Sequence, residues 1–261
     1  MTNYKEIFEK VESSLKNYST LSESEFEDVY GRFKLFENIE LRDDEYFQKL
    51  IMIIFYSGFR STTVTNKGNV ILGHFPNYRI VAEYTEEDFK RIFSDSDMIK
   101  NSKKIQSCIN NAKTFREIIA KHDSFQKYIE SFNANDSLEN LLLLKEELEY
   151  RFNFLGGTTV FHFLTDMGFN VLKPDRVILR IFERLGLIEN RKQFFKAIIQ
   201  GRLFSKTTGI PIRYIDIIFV RYGQQGENQE FGLKDGICLE SNPKCKEECD
   251  IKEYCNHYRN K

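Results

Sequence analysis

Four cysteines lie close together near the C-terminus of the chain: Cys238, Cys245, Cys249 and Cys255. Six, three and five residues separate them in turn. Such close spacing lets several thiolates converge on one centre with little loss of chain entropy. Zinc ribbons usually offer paired Cys-x-x-Cys units, which this segment lacks, and four single thiolates in one loop favour a cubane iron–sulfur cluster. The spacing predicts one metal centre, a 4Fe-4S cluster, with zinc as the alternative.

The composition places these thiols in a reducing environment. The chain has 261 residues, of which 41% are hydrophobic, and a formal net charge of −1. It begins without an apolar signal core and has no apolar run as long as a membrane span, so we expect a cytoplasmic, monomeric protein with no membrane partner. Structural disulfides are rare there. A near-zero net charge neither requires nor excludes a polyanionic partner. Cys108 lies apart on an apolar helical face and is expected in the core.

The segments that must position the cysteine loop have a helical period, and the chain has few helix breakers. Capping-box spacing starts helices at 22–25 and 85–88, and a run at 47–55 is apolar almost all round. Further helices are predicted over 105–115 and 136–150, and from Arg176, Arg191 and Ile212. The only alternating stretch, 69–72, is too short for a strand prediction. The fold class is therefore all-α.

The cysteine loop resembles the C-terminal loop of the endonuclease III family, which belongs to the helix-hairpin-helix DNA glycosylases. Pro243-Lys244 before the second cysteine and Ile251 before the last match that loop, although three residues instead of two separate the second and third cysteines. The resemblance implies two helical lobes. Residues 41–168 would form a six-helix-type bundle that ends in the hairpin, and residues 1–40 with 169–261 would form a second lobe with the cluster loop at 238–255.

A second motif fits the hairpin itself. Gly156-Gly157-Thr158-Thr159 follows a predicted helix, and adjacent glycines permit a tight turn between helices. The N–H groups at the start of the next helix would suit a DNA phosphate, whereas a plain turn between packed helices is the alternative. This motif is closer to the hairpin of 3-methyladenine glycosylase I. That enzyme's acidic residue has no counterpart here, because an apolar residue near Ile53 occupies its place.

The third motif is Asp175, which follows the hairpin at the distance where this superfamily places an aspartate. The resemblance implies a catalytic carboxylate that stabilises positive charge on the sugar or activates a water. Aspartate is also a favoured N-cap, and both roles are compatible. Members that cut the DNA strand carry a lysine just past the hairpin, where this chain has Thr158. We therefore expect a monofunctional enzyme.

The turn after the 47–55 helix matches the family's DNA-facing turn. Phe59 or Arg60 would fill the gap left by a flipped base and Tyr56 would line the base pocket, although with 24 phenylalanines in the chain a core role is an open alternative. Four further lysines either face DNA phosphates or lie on a solvated helix face: Lys100, Lys103, Lys104 and Lys113. Lys244 and Lys246 in the cysteine loop are expected to face DNA.

The resemblance implies a DNA glycosylase of base excision repair that acts on double-stranded DNA with a damaged base. Similarity to 3-methyladenine glycosylases favours an alkylated purine, a cationic base that an aromatic pocket can select. A uracil or thymine mismatch glycosylase is the next alternative. A non-catalytic DNA-binding protein with the hairpin, and a zinc-stabilised interaction protein, remain open. In a bacterium the protein would be associated with the nucleoid.

Overall fold

The computed structural model describes residues 2–35 and 40–259. Over these residues the regular secondary structure consists of α-helices and short 3₁₀ helices. A single antiparallel bridge joins Asn228 and Leu233 in the described residues. The all-α prediction is confirmed. The helices are α1 (Tyr4–Tyr18), α2 (Glu23–Gly31), α3 (Asp43–Tyr56), α4 (Ser61–Asn66), α5 (Gly68–His74), α6 (Tyr78–Val81), α7 (Glu86–Ser94), α8 (Ser102–His122), α9 (Phe125–Glu130), α10 (Leu138–Arg151), α11 (Thr158–Asp166), α12 (Arg176–Arg184), α13 (Phe194–Thr208), α14 (Ile212–Gly223) and α15 (Asn256–Arg259).

The chain divides into two compact units, and the first of them is discontinuous in sequence. Unit 1 comprises Met1–Glu37 with Asn170–Lys261, and unit 2 comprises Asn38–Phe169. The boundaries expected from the sequence, at 40/41 and 168/169, lie close to these divisions. No helix in the described part of the chain is long and apolar enough to cross a membrane.

Unit 2 contains α3 to α11, and α8 is its longest helix at 21 residues. The predicted stripe on α8 is buried, including Cys108 as expected. Aromatic rings fill the centre of this unit: Phe115 stacks on Phe125 at 4.4 Å and contacts Phe47 and Phe152. The central helix α3 buries Phe47 and Phe55. Segment 69–72 lies inside helix α5, where Ile71 is the buried residue.

Unit 1 combines α1 and α2 with α12 to α15, and a short 3₁₀ helix, Arg32–Leu35, continues α2. The capping box predicted at Ser22 forms: its hydroxyl accepts the N–H of Glu25, whose carboxylate accepts the N–H of Ser22. The sequence pattern predicted that a helix begins at Arg191. Helix α13 begins three residues later, at Phe194. Phe182, Phe204 and other buried aromatic residues of α1, α12, α13 and α14 form the core.

The aromatic centre of unit 2 predicts a large cost for Phe115→Ala. Phe115 is fully buried, so truncation would leave a cavity and reduce the free energy of unfolding by about 3–5 kcal/mol. Tyr150→Ala is the control, since Tyr150 is 86% exposed and its loss should change stability by no more than about 0.5 kcal/mol. Urea unfolding followed by circular dichroism measures both. Equal midpoints for the two variants would contradict the packing described here.

Candidate functional site

The four C-terminal cysteines line one cavity in unit 1. Ile181, Leu185, Ile237 and Ile251 supply its apolar walls, together with Arg184 and Tyr222. All four cysteines are free thiols. Helix α14 leads into this region: Tyr222 accepts the N–H groups of Ile237 and Cys238 on its carbonyl oxygen, which holds the start of the loop against the helix end. Four residues that are dispersed over the loop are thus brought to one place.

Two polar side chains donate to sulfur atoms in this cavity. The Nη1 of Arg184 lies 3.2 Å from the Sγ of Cys238, and the Tyr222 hydroxyl lies 3.0 Å from the Sγ of Cys249. Burial raises the pKa of the Cys249 thiol to about 11, and burial also raises the pKa of Cys238. Free thiolates are therefore costly here. Hydrogen bonds to sulfur are the interactions that tune thiolate-bound iron centres.

The lining of this cavity offers four sulfur donors to a metal centre. Over residues 2–35 and 40–259, no three His, Cys, Asp or Glu residues are grouped closely enough to hold one metal ion. A zinc ion draws its four thiolates to about 2.3 Å from a single centre. A cubane cluster takes one thiolate at each of its irons, so its ligands stand farther apart around a cavity. The cysteines that line this cavity are compatible with that arrangement.

Asp175 caps helix α12, as one of the two sequence interpretations predicted. Its Oδ1 accepts the N–H groups of Val177 and Ile178 at 2.9 and 3.1 Å. Its Oδ2 lies 3.3 Å from the Nζ of Lys173, and the side chain stays partly exposed. One oxygen is therefore held by the backbone, and the other pairs with the Lys173 ammonium. The geometry establishes the capping role, and the catalytic role stays a prediction.

A second aspartate, Asp216 on α14, lies beneath the Lys173–Asp175 turn and was not predicted. Its Oδ1 accepts the Lys173 N–H at 3.0 Å, and its Oδ2 accepts from Arg213 at 2.9 Å. Asp216 is buried, and this burial raises the pKa of its carboxyl to about 6. The sequence carried one signal for it: Asp216 is the only acidic residue of α14 and stands three residues after Arg213. This carboxylate anchors the backbone that presents Asp175.

The hairpin in unit 2 joins α10 to α11. Gly157 has a φ of +61°, a conformation that side chains other than glycine rarely adopt. Thr158 is the first residue of α11, and Thr159 donates its N–H to Gly156. The Gly157 N–H donates to the carboxylate of Glu149 at 2.8 Å. An anionic oxygen thus already sits at the turn where a DNA phosphate was expected.

The end of α3 and the turn that follows contain the residues predicted to contact the flipped base, and only some of them are exposed. Phe59 and Arg60 are exposed, whereas Phe55 is fully buried. Tyr56 is half-buried, and its hydroxyl lies 3.0 Å from the Oγ1 of Thr65. The structure thus supports the core alternative for Phe55. The DNA contacts of Phe59 and Arg60, and the pocket role of Tyr56, stay predictions.

The prediction for Lys104 is wrong. Lys104 faces neither phosphate nor solvent, because it is buried and donates to the carbonyl oxygens of Ile54 and Ser57. Lys244 is half-buried, donates to the Gly236 carbonyl at 2.8 Å and lies over the Tyr18 ring, and the DNA-facing surface expected near Lys244 and Lys246 stays a prediction. The exposed lysines of the predicted sets are Lys100, Lys103, Lys113 and Lys246.

The hairpin, its preceding helices and Asp175 all fall within one family match. Residues 37–175, slightly more than half of the chain, match the methyladenine glycosylase family. The chain belongs to the methyladenine glycosylase family. It is accordingly a DNA N-glycosylase, a hydrolase of N-glycosidic bonds in DNA. The cysteine loop lies beyond the matched residues, so the family match itself does not bear on the metal centre.

Two solved 8-oxoguanine glycosylase structures share the fold of this methyladenine glycosylase. The 8-oxoguanine glycosylase/lyase of Methanocaldococcus jannaschii, in complex with a 15mer DNA containing 8-oxoguanine, is 18% identical with a TM-score of 0.55, over 82% of this chain and 95% of that one. The 8-oxoguanine DNA glycosylase of Thermotoga maritima is 15% identical with a TM-score of 0.53, over 83% and 95%. The 3-methyladenine DNA glycosylase I of Staphylococcus aureus is 23% identical with a TM-score of 0.45, over 54% and 85%.

Asp216 predicts a specific pH dependence of stability for this methyladenine glycosylase. Its pKa rises from 3.8 to about 6 on folding, so the folded state binds the proton more tightly between these pH values. The stabilisation is complete below about pH 4 and is lost as the pH rises through about 6. Relative to Asp216→Asn, the wild-type free energy of unfolding should fall by on the order of 2–3 kcal/mol across this range.

Urea unfolding of both proteins at intervals from pH 4 to pH 7 measures this difference. Asparagine keeps an oxygen that accepts the Lys173 N–H, so the variant should fold. A constant difference between the two free energies at every pH would show that Asp216 has no raised pKa.

Proposed function

We propose that this protein removes an alkylated purine, such as 3-methyladenine, from double-stranded DNA and leaves an abasic site. The family match over residues 37–175 is the observation that carries the proposal. The matched segment contains the α10–α11 hairpin and ends at Asp175. The protein acts as a cytoplasmic monomer, with DNA as its partner.

Asp175 is the proposed catalytic carboxylate. Departure of the base leaves positive charge on the sugar, and a fixed carboxylate stabilises that charge or activates a water. The two backbone N–H groups on Oδ1 fix the side chain, and the Lys173 ammonium beside Oδ2 limits its rotation. Asp216 fixes the backbone of the same turn. The carboxylate is therefore preorganised before DNA binds.

Recognition of the base is assigned to the turn after α3. An alkylated purine is cationic, and an aromatic face attracts a cation through its quadrupole. Tyr56, half-buried beside the His162 ring at 6.1 Å, is the proposed pocket residue. Phe59 or Arg60 takes the place of the flipped base, and the turn from Gly156 to Thr159 holds the DNA backbone.

The protein is proposed to lack strand-cleaving lyase activity. Thr158 stands at the position where lyases of this superfamily have the lysine that forms a Schiff base, and a hydroxyl cannot form that adduct. A protein–DNA adduct trapped by borohydride would overturn this part of the proposal.

A 4Fe-4S cluster held by Cys238, Cys245, Cys249 and Cys255 is the proposed cofactor, with zinc as the alternative. The shared cavity and the donors from Arg184 and Tyr222 support it. The cluster would stabilise the C-terminal part of unit 1. With four protein ligands it would offer no open position to a substrate.

Base release tests the proposed enzyme. Wild-type protein should release 3-methyladenine from methylated duplex DNA, identified by mass, and Asp175→Asn should reduce the rate by about 100-fold or more, since one preorganised electrostatic group is lost. Asparagine caps helices as well as aspartate does, so folding should persist. Asp88→Asn is the matched control, because Asp88 also accepts an N–H at a helix start, from Thr85.

Other duplexes decide between the alternatives. If the protein releases uracil or thymine from mismatches and leaves methylated DNA intact, its substrate is a mismatched pyrimidine and not an alkylated purine. Binding to abasic DNA without release of any base would favour the non-catalytic protein.

Metal content tests the cofactor. Purified protein should contain about four iron and four sulfide ions per chain and absorb in the visible range. The Cys249→Ser variant should lose most of the iron and sulfide and most of this absorption. Cys108→Ala is the matched control, because Cys108 is a buried thiol outside the cavity, and it should retain the iron. One zinc ion per chain with no iron would instead establish the zinc alternative.

A further inference from the structure

Two exposed phenylalanine rings in unit 2 lie beside one lysine. Phe59 follows α3 and Phe154 precedes the hairpin, and each side chain is 36% exposed. The Nζ of Lys104 lies 5.6 Å from the Phe59 ring centroid and 4.8 Å from the Phe154 ring centroid. Two loops far apart in sequence therefore present aromatic rings at the same place.

Lys104 is held rigidly, because its ammonium is buried. It donates to the Ile54 carbonyl and, at 2.7 Å, to the Ser57 carbonyl, both at the C-terminal end of α3. Those carbonyls have no partner within their own helix, and a cation there is favourable. A buried ammonium without such partners would be strongly disfavoured. The lysine therefore locks the end of α3, and with it Phe59, to helix α8.

Phe154 is held in a conformation that its residue type disfavours. Its φ is +65°, in the left-handed region where a side chain crowds its own backbone. The adjacent Asn153 is clamped by buried Asn111, which accepts its N–H at 2.8 Å and donates to its carbonyl at 3.0 Å. This ring is partly exposed, so burial does not compensate for the strain. Strain of this kind at a surface points to a binding role.

We infer that Phe59 and Phe154, locked by Lys104, form an aromatic clamp that stacks on the bases left exposed when the target nucleotide leaves the duplex. The inference rests on the proposed function, and it adds Phe154 to the DNA surface and Lys104 as the buried residue that positions both rings. Unstacked bases present flat aromatic faces, which exposed rings bind without sequence preference. Arg60 adjoins Phe59 and supplies the positive charge that complements the DNA backbone. Lys104 is a positioning residue, because it is buried and contacts the two rings but not the DNA.

Phe154→Asn tests the clamp directly. Asparagine adopts the left-handed conformation more easily, so the melting temperature should not fall while the ring is lost. Affinity for a duplex with a tetrahydrofuran abasic analogue, measured by fluorescence anisotropy, should fall about tenfold, and affinity for the intact duplex should change little. Phe93→Ala is the matched control, since Phe93 is also exposed in unit 2 with a lysine ammonium 5.7 Å from its ring.

A double variant tests whether the rings act together. Phe59→Ala combined with Phe154→Asn should weaken binding by less than the product of the two single effects, as residues of one unit do. An affinity of Phe154→Asn for the abasic duplex within twofold of wild type would overturn the clamp. If wild type releases base and Phe154→Asn binds normally, only the clamp fails. If wild type releases no base but Phe154→Asn loses abasic binding, only the proposed function fails.

Discussion

A buried ammonium group dictates much of the structure of unit 2. Because a charge inside a protein is tolerated only with polar partners, Lys104 requires the last carbonyls of α3 to lie against α8. The same helix carries Asn111, which binds Asn153 in the segment that leads into the hairpin. Helix α8 therefore sets the positions of two loops that are proposed to contact DNA. The aromatic core around Phe115 supplies stability, and these two polar side chains supply the geometry.

Helix α12 plays the corresponding part in unit 1. Asp175 caps its first turn, and Arg180 and Arg184 in its later turns donate to the carbonyls of Cys238 and Leu239. The helix has nine residues, so only two to three turns separate the proposed acid from the cysteine loop. A metal centre that orders this loop would therefore also support the helix that carries the acid. The proposed metal centre would thus act on the proposed catalytic carboxylate only through the fold, and would take no part in the reaction itself.

The local features of this protein were readable from its residues. The capping box at Ser22, the stripe on α8 and the N-cap role of Asp175 each depend on hydrogen bonds or contacts within a few positions. The helical class followed from the same periodicity. Lys104 shows where this reasoning failed, because its helical position predicted exposure and its tertiary partners lie some fifty residues earlier.

The sequence alone determined the helices, the set of four cysteines and the motifs that resemble a DNA glycosylase, since these depend on residue type and short spacing. Only the tertiary structure decided which polar groups are buried. Asp216 became an anchor for the Asp175 turn, and Lys104 became a buried donor at the end of α3, because of residues brought near them by folding. The physical reason is that a polar side chain is buried only where the fold supplies its partners, and spacing along the chain does not specify those partners.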